Sequence, residues 1–89
     1  MLREIDINEV PSFSLVRERI RGINPNVEFV KAGLDRASDT YVLRLQLATL
    51  RHTDLRLSKE LLDDLTGGDV VRREAELDRL SRSALERIK

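Results

Sequence analysis

A chain of 89 residues with 40% apolar content suits one small α+β domain, residues 1–89, and leaves little for a deep pocket. At this length only roughly 60–65% of the unfolded chain's surface can be buried. The 16 basic and 16 acidic residues cancel, which removes any general electrostatic pull towards nucleic acid or an anionic membrane; the absence of cysteine excludes disulfides, thiolate chemistry and Cys-based zinc sites.

In Leu2 to Ile7, Ile5 and Ile7 alternate with Glu4 and Asp6 as an edge strand would, and the stretch equally fits a frayed arm. Met1 to Asp6 holds acids and no apolar run, so no signal peptide is expected there. After Pro11, Phe13, Val16, Ile20 and Ile23 fall on one face of a helix. The spacing predicts a helix from Ser14 to Arg21, with Ser12 or Ser14 as its cap and Gly22 as the left-handed residue that ends it. Asn24-Pro25-Asn26 forbids continuation.

Val27 to Leu34 reads as the first main strand. Val27 and Phe29 are expected on one face, Val30, Ala32 and Leu34 on the other, as in a strand covered on both sides. Asp35 to Asp39 is a turn. In the next strand Tyr41, Leu43, Leu45 and Leu47 alternate with Val42, Arg44 and Gln46. A turn at Thr49 to Thr53, with Arg51 and His52 near its tip, leads to a short strand in which Leu55 and Leu57 face the core. Ser58 follows at once as a helix N-cap for Ser58 to Leu65, with Leu61, Leu62 and Leu65 apolar. Thr66-Gly67-Gly68 ends that helix and Asp69 caps the last one, Val70 to Ile88.

The resulting order is (β)-α-β-β-β-α-α: a three-stranded antiparallel meander, with an optional fourth N-terminal edge strand, covered by helices. The last helix carries a stripe of Val70, Leu77, Leu80, Ala84 and Ile88, widened by Val71, Ala75 and Leu85, which either packs on the chain's own sheet or meets a partner. Arg73 interrupts that stripe and argues against a long coiled coil. Glu76 with Arg79, and Asp78 with Arg82, are expected to pair along its outer face.

Signals for chemistry are sparse. His52 has Asp54 two residues on, on the same strand face, a pairing that could orient a general base; a solvated histidine at the turn tip is the expected reading. Glu60, Asp63 and Asp64 form an acidic cluster without a calcium-loop spacing, so a solvated helix face is expected rather than a metal site. Gly67-Gly68 lacks the phosphate-loop pattern and reads as helix punctuation. Arg17, Arg19 and Arg21 on the first helix, or Arg44 and Arg56 on the sheet, could meet nucleic-acid phosphates, but acids interleave with bases along the whole chain. Arg supplies 13 of the 16 basic residues, a bias that suits bidentate contacts and that genome base composition also produces.

No apolar run approaches the roughly 20 residues needed to cross a bilayer. Together these features lead to the expectation of a non-catalytic cytoplasmic interaction module without metal or cofactor. Its partner would be another protein or a second copy, met through Leu77, Leu80, Ala84, Leu85 and Ile88. A weak nucleic-acid-binding regulator is the alternative.

Overall fold

A computed structural model describes residues 2–47, 50–67 and 70–88. The Gly68–Asp69 junction, Ala48 and Thr49 of the hairpin turn, and the Val70 side chain of the final stripe lie outside the described residues. Four strands form one antiparallel sheet in the order β1 (Leu2–Ile5), β2 (Glu28–Asp35), β3 (Thr40–Gln46) and β4 (His52–Ser58). The helices are α1 (Phe13–Ile23), α2 (Lys59–Gly67) and α3 (Val70–Glu86), with a short 3-10 turn at Ile7–Glu9. The N-terminal segment is therefore a paired edge strand, Ile5 standing opposite Ala32.

The alternation in β3 and β4 sets the core. Leu43 is opposite Leu55, Tyr41 opposite Leu57 and Leu45 opposite Thr53, all on one face. Against that face lie Val16 and Ile20 of α1, Leu61, Leu62 and Leu65 of α2, and Leu77, Ala84, Leu85 and Ile88 from α3 and its end. Extents of 35 × 30 × 19 Å fit one sheet layer and one helix layer.

The two-faced reading of β2 is corrected by a bulge. Phe29 pairs with Leu45 and Lys31 with Arg44, so Val30 is the extra residue. One inserted residue resets the period-2 phase. Phe29, Ala32 and Leu34 therefore share the core face with Val27 packed just before the strand, while Val30 is turned out and 46% exposed.

The ends of α1 also differ from expectation. Asn24 N–H donates to the Ile20 carbonyl at 2.9 Å, a regular helical bond, so Gly22 lies inside the helix rather than ending it. The stop comes from Pro25, which disfavours helical backbone at Asn24; Asn24 Oδ1 then accepts from Asn26 N at 3.0 Å. Ser12 makes no side-chain cap. Its hydroxyl donates to the Leu62 carbonyl at 3.2 Å and ties the start of α1 to α2.

The junction of β4 and α2 forms as the sequence predicts. Ser58 is the last strand residue, and its Oγ accepts from Leu61 N at 3.1 Å. Val70 to Ile88 is helical as far as Glu86, and Ile88 still tucks into the core beyond it.

Leu50 adopts φ 66° in the β3–β4 turn, where its N–H donates to the Leu47 carbonyl at 2.9 Å. Left-handed backbone costs a leucine about 1–2 kcal/mol, and glycine gives back about 0.5–1 of that as unfolded-chain entropy. Leu50→Gly is expected to raise the melting temperature by about 2–4 °C, which calorimetry reads. A loss of stability would mean that the tip is not held in this conformation.

Candidate interaction surface

Among the described residues every helix packs on one side, so the second face of the sheet meets no helix there. Its residues follow from the register. One row across the strands reads Glu4, Gly33, Val42, Arg56, from β1 to β4. The next reads Lys31, Arg44, Asp54.

Gly33 makes the first row possible. A Cβ there would fall 2.9 Å from Leu2 Cδ1 and Cγ, so Leu2 lies directly over the bare backbone. Leu2 remains 57% exposed, whereas Val42 is buried at 8% although it lies outside the main core. Together with Lys31 and Arg44 they edge a shallow hollow of about 280 Å³.

Charges of both signs frame this apolar centre. Arg44 Nε lies 3.2 Å from Asp54 Oδ1, and Arg56 Nη2 lies 3.4 Å from Asp35 Oδ2. Lys31 stands directly opposite Arg44, a like-charge cross-strand pair that disfavours the isolated sheet slightly.

The sheet edges are blunted. Arg87 Nη2 donates to the Asp54 carbonyl at 3.4 Å and occupies part of the β4 edge. The other edge, β1, is four residues long and carries Arg3 and Glu4.

The helix layer is laced by ion pairs. Arg19 of α1 reaches Glu74 at 2.8 Å and Asp78 at 3.8 Å on α3. Arg82 holds Asp78 at 2.8 Å, as its spacing predicts. Glu76 instead meets Arg73 at 3.2 Å. Arg73 Nε also lies 3.3 Å from Asp64 on α2 without an aligned hydrogen bond, so that contact is ionic in character. The Arg19 and Arg82 pairs line a groove of about 330 Å³ between α1 and α3. Solvated as they are, each adds only about 0–1 kcal/mol.

The residues singled out in the sequence are distributed as follows. Leu77, Ala84, Leu85 and Ile88 are buried in the chain's own core, and Leu80 is half-buried against it. Arg17, Arg19 and Arg21 belong to the helix layer, where the Arg17 guanidinium sits 5.7 Å from the Phe13 ring centre. Arg44 and Arg56 lie on the opposite face, so the five arginines do not converge. His52 begins β4 and is exposed, while Asp54 is engaged by Arg44. Of the acidic cluster, Asp64 is drawn to Arg73. Among the described residues no group of three or more His, Cys, Asp or Glu is placed to hold a metal ion, and no helix is long and apolar enough to cross a membrane.

The open face is what sequence reasoning missed. Its signal was present in the polar phase of β3 and β4, to which Val42 belongs by alternation, but Leu2 and Gly33 join it only once the register is known. No family model matches the chain, and no curated protein and no solved structure matches it.

Proposed function

We propose that the chain is a small non-catalytic interaction subunit of the cytoplasm that works as a homodimer, the open sheet face meeting the same face of a second copy. The one-sided cover of the sheet carries this reading. Leu2 stays exposed there, beside Gly33 and Val42, within a frame of both charges. A face that holds both signs can satisfy a copy of itself, and zero net charge leaves little repulsion between copies. The blunted edges favour face-to-face contact over strand addition.

Strands of seven and eight residues give a face of about 20 by 25 Å, below the roughly 800 Å² per partner of a tight complex. Reversible pairing with a Kd on the order of 10–100 μM is therefore expected. Sedimentation equilibrium from about 10 μM to 1 mM spans that range. The wild type should pass from monomer to dimer, and Val42→Glu and Leu2→Lys should each stay monomeric with an unchanged circular dichroism spectrum. A wild type that is monomeric throughout removes the proposal.

The nucleic-acid alternative has less support, because Arg19, Arg44 and Arg56 are engaged by acids. It requires a mobility shift at low salt that falls steeply as salt rises.

A further inference from the structure

We propose that the two copies are related by a two-fold axis parallel to the strands, running between β2 and β3, with Glu4 of each copy against Arg56 of the other. This rests on the homodimer reading and specifies its geometry.

The row Glu4, Gly33, Val42, Arg56 is the basis. It runs from an acid on one outer strand, through a centre capped by Leu2, to a base on the opposite outer strand. Rotation about that axis lays β1 over β4 and β2 over β3 of the second copy. Acid then meets base at both ends of the row, and Leu2 and Val42 meet the same pair at the centre. Glu4 and Arg56 stand three strand spacings apart, about 14 Å, so neither can satisfy the other within one copy. Arg56 contacts Asp35 at 3.4 Å, but its side chain is 61% exposed and can exchange that contact for Glu4 of the second copy.

The same rotation sets Lys31 against Arg44 of the second copy, an unfavourable meeting. That makes Lys31 diagnostic. If the axis were shifted by half a strand spacing to lie along β3, Lys31 would meet Asp54 instead. The two arrangements give opposite signs for one substitution.

Sedimentation equilibrium on four full-length variants tests the geometry. Glu4→Arg and Arg56→Glu should each weaken pairing about tenfold, and the double variant should restore it to near the wild-type constant. Lys31→Glu should tighten pairing severalfold by meeting Arg44. All three positions, Glu4, Lys31 and Arg56, are exposed, and the double variant controls for folding. A wild-type dimer indifferent to the Glu4 and Arg56 swaps, or one weakened by Lys31→Glu, overturns this geometry and leaves the homodimer reading intact. A wild type that never dimerises removes both.

Discussion

Leu43→Ala is expected to lower the unfolding free energy by about 3–5 kcal/mol. Leu43 is fully buried at the middle of β3, with Ala32 opposite it on β2 and Leu55 on β4. Its side chain packs where the helix layer meets the sheet, so truncation leaves a cavity that elements on both sides would have to move to fill. A rigid hydrogen-bonded strand cannot make that movement cheaply, which puts the cost in the upper part of the usual range. A domain of 89 residues holds only about 5–13 kcal/mol in all. The variant should therefore show a sharply lowered urea midpoint with an unchanged slope, since the surface exposed on unfolding hardly changes. A shift worth less than about 1 kcal/mol would contradict the burial assigned to this position.

The same strand shows what was readable from the sequence. Strict alternation from Tyr41 to Gln46 fixes which side of β3 is buried, because side chains on a strand alternate faces without exception unless a residue is inserted. Ser58 carries its own instruction, since its hydroxyl can accept from the first turn of α2 wherever β4 ends. β2 could not be read in this way. The extra residue at Val30 reverses the phase, and nothing in the Val-Glu-Phe-Val-Lys run says that a residue is unpaired; only the partner strand does.

Gly22 misled for a related reason. Glycine is compatible with a helix end, but it also fits an exposed helix interior, and here Pro25 decides. Ser81 was passed over because it is polar. It is fully buried on α3 four residues after Leu77, and its Oγ has no hydrogen-bond partner, so it fills an apolar slot as a small side chain. Arg73, which breaks the stripe in sequence, turns towards Asp64 and Glu76 and ties α3 to α2. The candidate face was the least legible feature. Leu2, Gly33 and Val42 are far apart in the chain, and only the order of four strands sets them side by side.

Leu77→Ala is expected to cost about 2–5 kcal/mol of stability without changing the dimer constant of the molecules that remain folded. Periodicity shows that one face of α3 is apolar, but not what it packs against. The two readings of the stripe differ in kind. Leu77 and Ala84 are fully buried, and Leu85 and Ile88 are nearly so, all in the cluster that also holds Leu55 and Leu57 of β4. A side chain with no surface in the monomer can reach a partner only if α3 lifts from the sheet, which would expose the rest of that face as well. Thermal unfolding at two protein concentrations, run beside sedimentation on the folded variant, separates the cases. A melting temperature lowered by a similar amount at both concentrations, with pairing intact, keeps Leu77 in the core and the contact on the sheet. Nearly unchanged stability with lost self-association would move the contact to α3 and away from Leu2 and Val42.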